Sequence, residues 1–248
     1  MPVLQAVAAA LTFGLSAPIA KLLLDVTSPL MLAGLLYLGA GVFLFLVRVI
    51  GAGRRPAARP LTPRERALLV GAVTAGGILA PPLLLWGLAR SAASAAALLL
   101  NLEVVFTVLL AGALFGEGLG RRVIGAAALM AVAGAWLAWP GGRLDVTLPS
   151  LAVAGACLLW AVDNNLTRLI ADADAMLVAQ VKGLVAGGAN TAVALASGDA
   201  APAVWAVLAA FGLGAVSYGT SLVLFILALR RLGAARTGAY FALAPFFG

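Results

Sequence analysis

The sequence predicts an all-α integral membrane protein. Hydrophobic residues make up 64% of the 248 residues and charged residues only 10%, which is more apolar surface than a soluble fold of this length can bury. Eight stretches each approach the ~20 apolar residues that cross a hydrocarbon core about 30 Å thick, and a ninth begins as the sequence stops. Because backbone groups in lipid must be bonded internally, and because the runs are too long for barrel strands, they are predicted to be helices.

The eight predicted spans follow one another with short connections. The first four cover about Val3–Leu24, Leu30–Ile50, Ala67–Ala89 and Ala92–Phe115. The other four cover about Val123–Trp139, Leu151–Ile170, Ala175–Ala196 and Val204–Leu229. The longest connection, Gly51–Arg66, is rich in Pro, Arg and Gly, and it is predicted to be a polar connector rather than a domain.

The basic residues predict the orientation. If the spans alternate, one side of the membrane receives Arg48, Arg54, Arg55, Arg59, Arg64, Arg66, Arg121, Arg122, Arg230, Arg231 and Arg236. The other side receives Lys21, Arg90 and Arg143. By the positive-inside rule the richer side, and with it the N-terminus, is cytoplasmic. Because Met1–Gln5 carries no basic side chain, a cleavable signal is not expected, and the protein is predicted to be a multi-pass protein of the inner (plasma) membrane.

Composition excludes several classes of function. The net charge of +7 is dispersed over short loops without a reading motif, so nucleic acid is not an expected partner. The chain has no histidine and a single cysteine, Cys157, which excludes Ser-His-Asp, Cys-His and HExxH chemistry. No P-loop is present. We therefore expect no catalytic residues, no metal and no cofactor, and a protein that is not an enzyme.

A weak internal repeat relates the first span to the sixth. The stretch Phe13–Lys21 aligns with Leu159–Arg168, each ending in a basic residue near the end of its span. A second match aligns Arg90–Ala95 with Leu232–Thr237. The copies are five spans apart, and an odd number reverses the orientation of the second copy. Inverted repeats are typical of secondary transporters, whose substrate site lies near the midplane between the halves.

These residues resemble the EamA-type proteins of the drug/metabolite transporter superfamily. The family-like elements are Phe13-Gly14 to Lys21, Trp160-Ala161 to Arg168, Ala89 to Ala97, Phe115-Gly116-Glu117-Gly118-Leu119 and Ala242-Leu243-Ala244-Pro245. The resemblance implies an inverted five-plus-five helix repeat, with residues 1–140 as the first repeat and 141–248 as the second. It also implies that about eight full helices and the start of a ninth are present here, the chain being C-terminally truncated. One departure is Glu103, where the family often has proline.

Ionisable groups inside spans are costly and need a reason. Glu103 is predicted near the middle of the fourth span, beside Asn101, and the two-residue spacing turns their side chains apart by roughly 160°. One interpretation is a cavity-facing carboxylate that binds a cationic group of a substrate or carries a coupling proton. The other is a protonated acid that hydrogen-bonds a neighbouring helix.

A second polar group is predicted between the sixth and seventh spans. Asp163 opens the run Asp163-Asn164-Asn165, and Lys182 lies at a similar depth in the next span, so an ion pair is geometrically possible. That pair is either a structural salt bridge or a gate that breaks during transport, unless the two side chains never meet. Asn164 and Asn165 are candidates for lining a polar cavity. Trp160 shares a helix face with Asp163 and is a further candidate.

The predicted function is secondary active transport by alternating access, and the resemblance implies outward movement of small polar or amphipathic metabolites such as amino acids. The expected partners are this small-molecule substrate, membrane lipid and protons as a coupling ion. Two alternatives stay open: a non-transporting membrane scaffold or partner subunit, and a lipid-modifying membrane enzyme.

Overall fold

The computed structural model describes residues 1–51, 59–91, 99–114, 116, 118–137 and 147–247, and every regular element in these ranges is helical. The first seven α-helices are α1 (Pro2–Gly14), α2 (Ser16–Leu23), α3 (Pro29–Ile50), α4 (Pro63–Ala72), α5 (Ala80–Ala89), α6 (Leu102–Ala113) and α7 (Arg121–Leu137). The next five are α8 (Leu148–Leu169), α9 (Ala175–Ala196), α10 (Val204–Leu213), α11 (Ser221–Leu232) and α12 (Ala234–Phe241), and a 3-10 turn (Ala244–Phe246) follows.

Four helical spans within the described ranges are long and apolar enough to cross a membrane by length and composition. They are Pro2–Leu23, Pro29–Ile50, Pro63–Ala89 and Val204–Leu232. The helices α8 and α9 are each 22 residues long and match the predicted sixth and seventh spans, but buried polar residues lower their hydropathy. The prediction of an all-helical membrane architecture is therefore confirmed for the described residues.

The fourth span differs from its prediction. Its expected beginning at Ala92, and parts of the Gly-Glu exit, lie outside the described residues. In the described part, a turn at Leu100 and Asn101 precedes α6, so Glu103 lies in the first turn of a helix. The expectation that Glu103 sits in the middle of a continuous helix was wrong. Asparagine competes with helical backbone bonding and favours helix ends, as it does here at the N-cap position.

A π-helical segment, Val73–Leu79, joins α4 to α5 within the third span. The N–H of Ala80 bonds to the carbonyl of Ala75, five residues back, which is the wide register of a π-helix. The next two residues, Pro81 and Pro82, have no N–H and cannot bond back into the segment. The third span therefore contains a stretch of widened helix with free carbonyl groups just before these prolines.

A second π-helical segment, Gly214–Thr220, joins α10 to α11. It is seven residues long, as the first one is, and it also follows a ten-residue helix. Its residues Ser217 and Tyr218 are buried. Because π-helical turns re-aim side chains relative to a regular helix and are frequent at functional sites, both segments mark the part of the bundle in which the site is sought.

The helices α3 and α9 run antiparallel through the centre of the bundle and touch along glycines. A Cβ added at Gly41 would lie 2.5 Å from the backbone nitrogen of Leu184, and one added at Gly187 would overlap the backbone of Leu38. Lengthening the side chain at either position would push the two backbones apart. Small residues at such crossings allow the close approach on which helix association in lipid depends.

Polar contacts tie the elements together at both ends of the bundle. At one end, Arg48 lies 3.7 Å from Asp174, and Arg230 donates from Nε to the carbonyl of Ala171 at 2.5 Å. At the opposite end, Lys21 donates from Nζ to the carbonyl of Leu88 at 2.5 Å, which satisfies the end of α5. The alternation of the spans thus separates Arg48 and Arg230 from Lys21, as the sequence predicted.

Candidate functional site

A cavity of about 60 Å³ lies among the helices, lined by side chains from α1, α3, α6, α8, the second π segment, α11 and α12. Its lining consists of Phe13, Tyr37, Glu103, Trp160, Asp163, Asn164, Ser217, Tyr218, Ser221, Leu222, Phe225 and Phe241. The lining combines two carboxylates with a wall of aromatic rings.

One of the two carboxylates belongs to a buried ion pair. Lys182 donates from Nζ to both oxygens of Asp163, at 2.5 and 2.7 Å, and to the hydroxyl of Thr167 at 3.1 Å. Thr167 in turn donates to Asp163 Oδ1 at 2.8 Å. The lysine side chain is only 2% exposed. Removal of two charges from water is costly, and such a pair is tolerated only with geometry this close and with extra hydrogen bonds.

The second carboxylate, Glu103, has a neutral partner. Asn164 donates from Nδ2 to Glu103 Oε1 at 2.7 Å, and its contact with Thr107 Oγ1 is longer, at 3.4 Å. In the described part of the chain, no cationic side chain lies within salt-bridge distance of Glu103. The positive end of the α6 dipole helps to stabilise a charge in this first helical turn.

The free carbonyls of the first π segment hold two cavity-lining residues and one residue of α9 in place. Trp160 donates from Nε1 to the carbonyl of Gly76 at 2.8 Å, and Tyr37 donates its hydroxyl to the same oxygen at 3.0 Å. Asn190 donates to the carbonyl of Gly77 at 3.0 Å. The two prolines that follow cannot donate to these carbonyls, so side chains of α3, α8 and α9 satisfy the groups that would otherwise be unpaired.

Gly76 also provides the space for the ion pair. A Cβ at this position would overlap the carboxylate of Asp163. The third span therefore approaches α8 at a glycine, and the backbone passes directly beside the buried charge. A larger residue would have to displace either the carboxylate or the π segment.

The aromatic wall is a connected set of rings. The ring of Phe13 lies 5.9 Å from Trp160, 5.4 Å from Tyr218 and 5.3 Å from Phe241, measured between centroids. The rings of Tyr37 and Tyr218 are 5.3 Å apart. Most of these pairs meet edge to face, the arrangement that aromatic quadrupoles favour. Each ring is thus fixed by its neighbours.

The structure separates the predicted site residues into two groups. The cavity is lined by Glu103, Trp160, Asp163 and Asn164. Lys182 is connected to the cavity through its bonds to Asp163. Asn165 points elsewhere, because its Nδ2 donates to the carbonyls of Ala161 at 2.9 Å and Thr107 at 3.3 Å.

Asn101 is the remaining predicted residue. It precedes α6 at its N-cap position and is half-buried. Among the described residues, the cavity lining does not include it. The two-residue spacing that turns Asn101 away from Glu103 agrees with this placement.

Comparison with known proteins identifies the family. Residues 1–139 match the model of the EamA-like transporter family, which is more than half of the chain. The chain belongs to the EamA-like transporter family. This confirms the resemblance that the sequence motifs carried, and it makes the chain a multi-pass membrane transporter.

Two further proteins are similar to this EamA-like chain. An uncharacterized transporter from Methanothermobacter thermautotrophicus is 29% identical over 259 residues, which cover 98% of this chain and 75% of that protein. A solved crystal structure of a protein 20% identical in sequence matches the fold with a TM-score of 0.76, over 99% of this chain and 84% of the other. The second similarity supports the helical fold alone.

Sequence reasoning missed several residues of this candidate site. Thr167 follows Asp163 by four positions, a spacing that places both on one helix face. The carbonyls of Gly76 and Gly77 are free because of the prolines a few residues later, and that signal was present in the sequence. The contribution of Tyr218 depends on the second π segment, which no proline announces.

Proposed function

We propose that this chain is a secondary active transporter that exports small polar or amphipathic metabolites, such as amino acids and related compounds, by alternating access. The observation that carries the proposal is the cavity, which lies between membrane helices and is lined by Glu103 and by Asp163, the acidic partner of the ion pair with Lys182. The outward direction and the metabolite class are those that the family resemblance implies.

The polarity of the interior argues for a carrier over a scaffold. A charged side chain at membrane depth costs at least ~2.5–3.5 kcal/mol on insertion scales. A protein that only packs against a partner gains nothing from Glu103, Asp163 and Lys182, because apolar side chains of similar volume are often equally stabilising in place of a buried ion pair. Charges that are kept despite this cost mark pathways for substrates or ions.

An inverted five-plus-five repeat, divided near residue 140, is the proposed architecture. Two features support it. The segment Pro2–Leu23 and α8 are both 22 residues long, as are α3 and α9, and the third and eighth spans each contain a seven-residue π segment. The contact between α3 and α9 is also reciprocal, since Gly41 meets Leu184 and Gly187 meets Leu38 at equivalent positions. Two such halves could rock around the cavity between them.

The Asp163–Lys182 pair is the proposed gate. It connects α8 to α9 beside the cavity, and Gly76 of the third span lies against the same carboxylate. Movement of either helix would break two charge-assisted hydrogen bonds, which are the stronger class of such bonds. A proton or a substrate that pairs with Asp163 would compensate for that loss, and this is the proposed means of coupling to protons.

The proposed location is the inner (plasma) membrane with a cytoplasmic N-terminus. The support comes from the excess of arginine at the end of the bundle that contains Arg48 and Arg230. In this orientation Lys182 lies in the cytoplasmic half of α9, which begins at Ala175.

Counterflow in sealed proteoliposomes tests the proposal. Vesicles loaded with an unlabelled amino acid or amine should accumulate the labelled compound, and Glu103→Gln or Asp163→Asn should reduce that accumulation by at least about tenfold, the usual scale of a lost charge-assisted bond. Glu65→Gln, at the exposed cap of α4, is the matched control and should behave as the wild type.

The variants distinguish the alternatives. The double variant Asp163→Asn/Lys182→Met removes both charges and so separates loss of folding from loss of transport. A folded double variant without counterflow supports the gate. Full counterflow in both carboxylate variants would contradict the proposed site, and absence of counterflow for every amino acid and amine would contradict the carrier and leave the scaffold.

A further inference from the structure

We propose that the cavity selects a small monovalent organic cation, a protonated or quaternary amine that has no carboxylate of its own. For transport this inference rests on the proposed alternating-access carrier, but it replaces the amino acids of that proposal with amines, and binding can be measured without transport. The balance of charge around the cavity and the aromatic wall support this selectivity.

The charge balance leaves one carboxylate available. Asp163 is neutralised by Lys182 through two short hydrogen bonds and receives a third from Thr167. Glu103 receives a hydrogen bond from the neutral side chain of Asn164, and none of the described cations pairs with it. An ionised Glu103 thus gives the cavity a single net negative charge. A monovalent cation is the ligand that neutralises it.

The aromatic wall supplies the complementary surface. Phe13, Tyr37, Trp160, Tyr218 and Phe241 all border the cavity within one connected ring cluster. The negative faces of such rings attract alkylammonium groups, and cages of this kind recognise quaternary ammonium. The rings are held in position: Tyr37 and Trp160 are both anchored to the carbonyl of Gly76. The binding surface is therefore preformed, which lowers the entropic cost of binding.

The same balance of charge opposes a zwitterion. The carboxylate of a free amino acid would need a cation or several donors, but Lys182 is already engaged by Asp163 and Thr167. The Ser221 hydroxyl donates to the carbonyl of Ala9 at 2.8 Å. A substrate carboxylate would also share the cavity with the carboxylates of Glu103 and Asp163, and like charges repel.

Thermal unfolding of the purified protein in detergent tests the inference with choline as the probe. Its neutral isostere, 3,3-dimethylbutan-1-ol, has the same shape without the charge, and glycine betaine adds a carboxylate to the same ammonium group. Choline should raise the midpoint of unfolding in a saturable manner, since a ligand that binds the folded state stabilises it. The isostere and the betaine should bind at least about tenfold more weakly.

The response of the variants and of the analogues decides the matter. Loss of the choline effect in Glu103→Gln, with the effect kept in Glu65→Gln, supports the inference. Equal stabilisation by the neutral isostere, or an undiminished effect in Glu103→Gln, would overturn it, as would the absence of any effect of choline or tetramethylammonium on the wild type. If amino acids show counterflow but choline does not bind, this inference is refuted and the transporter proposal stands. If choline binds but no compound shows counterflow, only the transporter proposal is refuted.

Discussion

At the scale of single residues, the structure rests on polar groups that satisfy one another far from water. Asp163 and Lys182 are buried, and each would be strongly unfavourable alone. Together with Thr167 they form a closed set of hydrogen bonds. The low dielectric that strengthens these bonds also makes the loss of one partner expensive.

A double-mutant cycle tests this coupling. Lys182→Met leaves the Asp163 charge unpaired and should destabilise the fold by about 3–5 kcal/mol. Asp163→Asn should also destabilise it, whereas the double variant should be more stable than the sum of the two single effects requires. Unfolding midpoints in detergent measure the cycle. Additive effects of the two substitutions would show that the side chains do not depend on each other.

Residue-level prediction from the sequence succeeded where helix geometry alone decides. The depths of Asp163 and Lys182 follow from their distances to a short turn, and the structure brings the two together. Asn165 shows the limit: it is adjacent to Asn164 in sequence, but a turn of about 100° per residue directs its amide to backbone carbonyls instead. The sequence does not show which neighbouring helix packs against Asn165.

At the scale of elements, glycine positions decide how closely the helices pack. Gly187 and Gly188 are neighbours on α9 with opposite surroundings. A Cβ at Gly187 would meet the backbone of α3, whereas a Cβ at Gly188 would meet nothing within 4 Å. The pair separates the effect of packing from that of helix propensity.

Alanine at these two positions gives a matched comparison. Gly187→Ala should destabilise the protein by about 1–3 kcal/mol, since overpacking forces the backbones apart. Gly188→Ala should be neutral or stabilising, because alanine is the better helix former by roughly 1 kcal/mol. Thermal unfolding of the two variants side by side provides the measurement. Equal effects at both positions would contradict the close crossing of α3 and α9.

Element prediction worked for long apolar runs and failed at interruptions. The second and seventh spans were predicted within a residue of their observed bounds. The turn before α6 was missed because Leu100 and Asn101 lie within an otherwise apolar run, and hydropathy does not register a local break. The widened helix at Val73–Leu79 arises from a change in hydrogen-bond register. The downstream prolines are the only sign of it in the sequence.

At the scale of the whole molecule, the arrangement places one polar cavity among membrane helices from both ends of the chain. Phe13 and Phe241 are distant in sequence but form one wall. The family and the helical architecture were predictable because they depend on composition and span order. The composition of the cavity was not, since seven elements contribute to it and their packing is decided by contacts such as those of Gly41 and Gly187.

The most direct test of the central claim, that the cavity serves alternating access, is its accessibility from each side of the membrane. In a Cys157→Ser background, Ser217→Cys places a thiol in the cavity lining. A small, charged methanethiosulfonate is applied to either side of oriented vesicles. Ser197→Cys, at the exposed end of α9, is the control that shows which side of the membrane the reagent has reached. We expect Ser217→Cys to react from both sides and Ser197→Cys from one only. Reaction of Ser217→Cys from a single side, or from neither, would contradict the account.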